Sequence, residues 1–240
     1  MVFGAVFAGG SGSRMGNSDV PKQYLPLGDK PILVHALEQF LAHPEIDLLL
    51  VLCPSAWLGR TRDLLEEHLG RQAKIVLLPG GEERNDTLEN ALNYIETEYP
   101  AEKDAVIVTH DAVRPFLTRR IISENIAAAR RYGACGTVLP ATDTIVRSGD
   151  GAFIDSIPPR DTMYQAQTPQ SFQVAKLRRV LDDLSREERG RLTDACAIFT
   201  VQNEPVHLVR GEAFNLKITY AYDLKLAKIL LEKGLTCPDD

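Results

Sequence analysis

The residues best placed to do chemistry stand in the first thirty positions. After the apolar run ending at Phe7 come Ala8, Gly9, Gly10, Gly12 and Gly16, then Arg14 and Lys22 in a segment that closes with Pro21-Lys22-Gln23. Glycines directly after a first strand permit close backbone approach, and bare N–H groups of that kind receive phosphate oxygens. A nucleoside triphosphate carries about four negative charges that need cations and N–H donors around them. The whole chain has a formal net charge of -6. Two cations gathered in one loop of an acidic protein therefore point to a polyanionic small molecule, whereas a nucleic-acid scaffold needs a basic surface.

Other glycine-loop chemistries fit less well. Gly10-x-Gly12-x-x-x-Gly16 is one residue longer than the dinucleotide fingerprint, and Pro21 and Pro26 follow where a helix should open. A Gly-Lys-Ser/Thr phosphate loop is missing as well. A nicotinamide-dependent dehydrogenase is thus the weaker reading of this segment. Asp111 follows the apolar run Ala105-Val-Ile-Val-Thr, so it emerges at a strand's carboxyl end as a Mg²⁺ or ribose contact, or as a loop cap. His110 reads as a packing or hydrogen-bonding residue, and Arg114 as a brace that pairs with an acid. Cys53, Cys135, Cys196 and Cys237 lack zinc spacing, and the first two read as buried free thiols.

These residues need a scaffold, and the hydrophobic pattern supplies one. Near-continuous apolar runs at 2–8, 47–53, 74–79, 104–110 and 134–140 alternate with amphipathic segments. Leu88, Ala91, Leu92 and Ile95 repeat at helical spacing, and Pro31 stands where a first-turn proline belongs. Strands apolar on both faces, alternating with helices, predict an α/β fold: a doubly wound, mostly parallel sheet of Rossmann-like form. The chain is expected to be one domain over 1–240, with 44% apolar and 25% charged residues typical of a globular protein. No apolar run reaches membrane-span length, and the reading is cytoplasmic. The alternation breaks after Pro140. Residues 141–165 read as a protruding β-hairpin arm turning at Ser148-Gly149-Asp150-Gly151, and 167–170 as a Gln-Thr-Pro-Gln turn. Two strands alone are marginal in water, so the arm is expected to lean on a second copy and make a homodimer, the alternative being a hairpin folded back on its own domain. Helices at 174–185, 193–200 and 221–233 and a strand at 205–210 complete the pattern.

Residues 8–40 resemble the cytidylyltransferases that join CTP to a small polyol phosphate: a glycine-rich loop, Arg14-Met-Gly, then Pro21-Lys-Gln-Tyr. Further matches follow in order at 80–92, 109–116, 166–172, 192–198 and 215–224, covering essentially the whole chain. The resemblance implies CTP and a polyol phosphate as substrates, Mg²⁺ as cofactor and a homodimer completed by the arm. It implies Arg14, Lys22 and Lys217 as the catalytic cations. Ala8, Gly9, Gly10, Gly12, Gly81, Glu82, Arg84, Thr87 and Asp111 become the nucleotide contacts, with Asp111 also the candidate for the metal, itself held mostly by phosphates. Thr144, Arg160, Thr168 and Thr193 become the acceptor contacts. Without the resemblance, Lys217 reads as a surface strand lysine and Thr193-Asp194 as a helix cap. Val113, Thr87-Leu88 and Ala221-Tyr-Asp-Leu resemble the ribitol 5-phosphate branch more than the methylerythritol 4-phosphate branch, so CDP-ribitol, a teichoic acid precursor, is the expected product and the isoprenoid precursor the alternative. A non-catalytic nucleotide-binding module would not need cations on both sides of the α-phosphate.

Overall fold

The computed structural model describes residues 1–10, 20–192 and 194–236, with Arg186 and Arg191 described through their backbone alone. Arg14, Gly12 and Thr193, named above as site residues, and Cys237 lie outside the described residues.

The apolar runs become the centre of a seven-stranded sheet. Its strands are β1 (Val2–Phe7), β4 (Leu48–Cys53), β5 (Ile75–Pro79), β6 (Val106–Asp111), β7 (Ala134–Pro140), β8 (Tyr164–Gln173) and β9 (His207–Arg210). The order is β5-β4-β1-β6-β8-β7-β9, parallel except for β8, which runs antiparallel to both β6 and β7. A separate two-stranded piece pairs β2 (Pro26–Leu27) with β3 (Lys30–Pro31). Because side chains alternate across a strand, each central strand feeds two cores. Val2, Val6, Leu49, Val51, Val106 and Val108 meet α1 (Ile32–Leu41), α2 (Leu58–Leu69) and α4 (Arg119–Tyr132) on one face. Phe3, Ala5, Leu50, Leu52 and Ile107 meet α3 (Arg84–Glu98), α5 (Val174–Asp182) and α7 (Ala195–Thr200) on the other. The predicted stripe Leu88, Ala91, Leu92 and Ile95 is the buried face of α3. A short helix α6 (Arg186–Arg191) and the closing helix α8 (Ala221–Lys233) follow later in the chain. Leu27, Ile32, Val113, Phe116, Ile218 and Ala227 form a third cluster that seats α8.

Two expectations are corrected. Residues 167–170 are not a turn but the middle of β8, a ten-residue strand that polar residues and Pro169 concealed. Proline is tolerated in a sheet where pairing is already broken, and here the β7–β8 register shifts between Gly136 and Val138. The Thr137 hydroxyl donates to the Pro169 carbonyl at 2.7 Å. The arm, in turn, does not form a regular hairpin. Its pairing is one bridge, Arg147 to Ser156, around a tip tied by Ser148 and Asp150. Val146, Phe153, Ile154 and Ile157 are all exposed, Phe153 at 77%. Those side chains stand away from this chain's core, and two strands alone are marginal in water.

Candidate active site

Open parallel sheets place ligands beyond the carboxyl ends of their strands, where the order changes direction. β1 ends at Phe7 and β6 at Asp111, side by side in register, and a cavity of about 330 Å³ opens there. Gly9, Gly10 and Lys22 wall it from the first loop, Gly81, Glu82, Arg84 and Thr87 from the second, and Asp111 and Lys217 from its floor and far side. Four segments far apart in sequence thus converge on one hollow.

Each wall has a local reason for its shape. Gln23 donates from its side-chain amide to the Ala8 carbonyl, which draws the end of the first loop back onto its beginning. Tyr24 then anchors the turn: its ring stacks on Trp57 with centroids 4.7 Å apart, and its hydroxyl lies 2.7 Å from Thr61 Oγ1. A side chain at Gly10 would come within 3.9 Å of the Lys22 stem, so bare backbone and cation are neighbours. In the second loop, the Gly81 N–H donates to Thr87 Oγ1 at 3.0 Å, and that hydroxyl donates to the Glu83 carbonyl at 3.1 Å. Glu83 and Asp86 close a capping box at the start of α3. The box accounts for the amides of Glu83 and Asp86, and the cationic side chains around the cavity supply full charges that a phosphate would need.

Asp111 organises those side chains. Its Oδ1 receives Arg84 Nη1 at 2.6 Å, and its Oδ2 faces Lys217 Nζ at 3.0 Å and Arg114 Nε at 3.5 Å. Burial pushes the Asp111 carboxyl up, but Arg84, Lys217 and Arg114 together outweigh that and hold it well below the usual carboxylate range. One anion gathers three cations, which leaves an excess of positive charge at the cavity floor. Arg84 also lies over the Phe7 ring at 5.1 Å, a contact that fixes its plane. Arg114 donates to the Asn215 carbonyl at 2.8 Å, and Asn215 donates to the Thr168 carbonyl at 2.9 Å, so the chain approaching Lys217 is pinned to β8. Arg114 braces the loop as the sequence suggested. Lys217, in contrast, is not on a strand but on an irregular segment aimed at Asp111.

Not every expected residue reaches the cavity. Ala8 is buried at its edge, and Thr168 is buried behind Asp111, accepting that residue's N–H at 3.1 Å. Thr144 and Arg160 belong to the exposed arm, where Arg160 donates to the Thr142 carbonyl at 3.2 Å, and neither lines the hollow. Asp194 caps α7 by accepting from Cys196 N at 2.8 Å, matching the cap reading. Gln23, Phe7, Glu83 and Val113 line the cavity without having been singled out as contacts; Gln23 was legible only as part of Pro21-Lys22-Gln23. As a metal site, the described residues fit a protein-held Mg²⁺ poorly. Both Asp111 oxygens are occupied by cations, and no group of three His, Cys, Asp or Glu side chains among the described residues stands at ligand spacing. A metal bonded directly to Asp111 would share that carboxylate with Arg84, Lys217 and Arg114, whose positive charges oppose it.

A mostly parallel α/β sheet whose strand ends hold a glycine-walled cavity lined by Lys22, Arg84 and Lys217 is an arrangement that suits a nucleotidyltransferase. The model of the 2-C-methyl-D-erythritol 4-phosphate cytidylyltransferase family, IspD, matches residues 2–233, and the chain belongs to that family. The 4-diphosphocytidyl-2C-methyl-D-erythritol synthase of Anaerococcus prevotii DSM 20548 is 25% identical, with a TM-score of 0.79 over 96% of each chain. The 2-C-methyl-D-erythritol 4-phosphate cytidylyltransferase of Thermus thermophilus is 26% identical, with a TM-score of 0.71 over 95% of this chain and 98% of that one. The enzyme of the same name from Francisella tularensis, 24% identical, shares the fold with a TM-score of 0.78 over 95% and 99% of the two chains. The family corrects the emphasis of the sequence reading: it supports a CTP-dependent cytidylyltransferase, and it favours the methylerythritol alternative over the ribitol branch. Among the described residues, no helix is long and apolar enough to cross a membrane.

Proposed function

We propose that this chain transfers CMP from CTP to 2-C-methyl-D-erythritol 4-phosphate, releasing pyrophosphate. The observation that carries the acceptor is the family match over nearly the whole chain. In this reaction an oxygen of the acceptor phosphate attacks the α-phosphorus of CTP. The bond from that phosphorus to the bridging oxygen breaks, and pyrophosphate leaves with the electron pair. A phosphate monoester has its second pKa near 6, so the nucleophile is already largely an anion at neutral pH. The protein's task is to screen two anions from each other and to stabilise charge on the phosphorus and the leaving group. Lys22 and Arg14 meet the triphosphate from the glycine loop in this reading, and Lys217 approaches from the opposite wall.

Mg²⁺ enters with the triphosphate, whose oxygens hold it better than the protein can; its charge adds to the screening. A second copy of the chain covers the exposed apolar arm and brings Arg160 and Thr144 to the acceptor. The exposure of Phe153, Ile154 and Ile157 supports that assembly.

Ribitol 5-phosphate remains the second reading because of Val113. This residue distinguishes the two branches in the sequence, and it lines the cavity, with its carbonyl accepting from Ile218 N, one residue beyond Lys217, at 2.9 Å. Purified protein offered CTP with either polyol phosphate, with and without Mg²⁺, separates the readings by pyrophosphate release. Turnover with methylerythritol phosphate alone is expected. Turnover with ribitol 5-phosphate alone overturns the proposed acceptor, and turnover undiminished by EDTA overturns the metal.

A further inference from the structure

The end of β4 holds up both glycine loops without lining the cavity itself. The Leu52 carbonyl accepts the Ala8 N–H at 2.7 Å, and the next carbonyl, that of Cys53, accepts the Gly80 N–H at 2.8 Å. The chain then passes Pro54 into a single 3₁₀ turn, Ser55–Trp57, that leads into α2. From there Trp57 and Thr61 reach back to the first loop. The Trp57 ring stacks on Tyr24 with 15° between the planes, and the Arg60 guanidinium lies over the same indole at 5.0 Å. Thr61 Oγ1 is 2.7 Å from the Trp57 carbonyl. A carbonyl can only accept, and Cys53 Sγ is farther off at 3.4 Å, so the threonine's one hydrogen goes to Trp57. The Tyr24 hydroxyl, 2.7 Å from the same oxygen, is then the donor. Tyr24 is buried, and it closes the three-residue turn that begins with Lys22. Lys22 lines the cavity; Leu52, Cys53, Trp57 and Thr61 do not.

We propose that Trp57 and Thr61 are positioning residues for Lys22. They clamp the ring and the hydroxyl of Tyr24, two residues along the chain from that lysine, and so fix where its ammonium stands when the α-phosphorus is attacked. A lysine carries its charge on a flexible four-carbon stem, so its head is placed only as well as its backbone is held. Gln23 ties the turn to the first loop at Ala8. The Tyr24 contacts tie it to α2, which contributes no residue to the cavity wall. A displacement of about 1 Å arising far from the chemistry can cost about a hundredfold in rate. The loss falls on turnover where the displaced group acts on the transition state. The inference rests on the reading of Lys22 as a cation for the triphosphate and deepens it: residues remote from the ligand set the rate.

Two measurements test it. In full-length protein whose lysines carry ¹³C-dimethyl groups, the signal lost in Lys22→Arg identifies Lys22. Trp57→Leu should move that signal in the ligand-free protein, and Trp57→Phe, which keeps a ring against Tyr24, should leave it near its wild-type place. A Lys22 signal that Trp57→Leu does not move overturns the proposal. In steady-state kinetics, Trp57→Leu should lower kcat about tenfold, with CTP KM within about threefold. Trp57→Phe should recover most of the loss. Thr61→Val, which removes the acceptor of the Tyr24 hydroxyl, should lower kcat about fivefold. Placed in Lys22→Ala, Trp57→Leu should change kcat by less than about twofold, since the group it positions is gone. An undiminished loss in that background, or a loss carried by CTP KM alone, means that Trp57 only supports the fold and refutes the assignment. Thr61→Val takes the place of Trp57→Leu in both measurements if the latter does not fold. Normal turnover in Lys22→Ala would defeat the reading of that lysine instead, and the ¹³C signal would still decide the positioning.

Discussion

Lys217 Nζ and Asp111 Oδ2 stand 3.0 Å apart, although the two residues come from the last third of the chain and from the end of β6. The pair joins the two walls of the cavity, and Arg84 and Arg114 converge on the same carboxylate. Under the proposed function, the nucleotide's phosphates would meet a cluster of positive charge already assembled around Asp111.

Removing the anion should show how much of that cluster it holds together. Asp111→Asn keeps the volume but leaves Arg84 and Arg114 facing each other across a neutral amide, and Arg114 is buried. Breaking a buried pair from one side costs about 3 kcal/mol. Urea unfolding at pH 7 should show a loss of that order, and a change under about 0.5 kcal/mol would show that the arginines need no shared counter-ion.

For Lys217→Ala and Lys22→Ala the expected loss is in turnover. Groups that stabilise developing charge are worth on the order of 10²–10³ in rate when removed singly. Each variant should lower kcat by about that factor, measured by pyrophosphate release at saturating substrates. Near-normal kcat in either would reduce that lysine to a structural role.

Gly81 has no room for a side chain. A Cβ there would lie 2.1 Å from Asp86 Cβ and 2.9 Å from Thr87 N. Gly81→Ala must push the second loop away from α3, and displacements of about 1 Å in a binding wall cost up to about a hundredfold. CTP KM should rise between roughly tenfold and a hundredfold, with the acceptor KM nearly unchanged. Isothermal titration with CTP provides an independent check.

Arg160 lies on the exposed arm and lines no part of its own chain's cavity. Arg160→Ala should leave thermal stability within about 0.5 kcal/mol, as surface changes usually do. Under the dimer proposal it should raise acceptor KM far more than CTP KM. The reverse pattern would place the arginine on the nucleotide.

The buried imidazole also makes stability depend on pH. His110 titrates near 4 in the folded chain, against an ordinary 6.5. Between those values the unfolded chain binds a proton that the native one refuses. Stability from this ring is therefore complete above pH 6.5 and lost as pH falls toward 4, about 3 kcal/mol in all. Burial lowers the His43 pKa as well, so the comparison to make is wild type against His110→Asn. Urea unfolding from pH 7 to 4.5 should show the steeper decline in wild type, and parallel curves would mean that the ring is not held neutral.

Much of this protein is written in local pattern. Strands buried on both faces must be continuously apolar, so β1, β4, β5, β6 and β7 could be read within a residue or two, and α8 at its observed ends. Bare backbone beside cations marked the first loop as a place for phosphates, because glycine and charge signal chemistry wherever they stand. The strand β8 escaped that reading. Several of its polar groups find partners distant in sequence, as where Gln170 donates to Asp194 at 2.6 Å and Thr109 donates to the Gln170 carbonyl at 2.8 Å. Nor could spacing reveal that Lys217 faces Asp111, or that Thr168 Oγ1 lies 2.9 Å from His110 Nδ1. Such pairings depend on which strand ends lie side by side, and that follows from the order of the sheet. Period and composition determined the elements and the kind of ligand; the tertiary structure alone decided which charges meet and which way each hydrogen bond points.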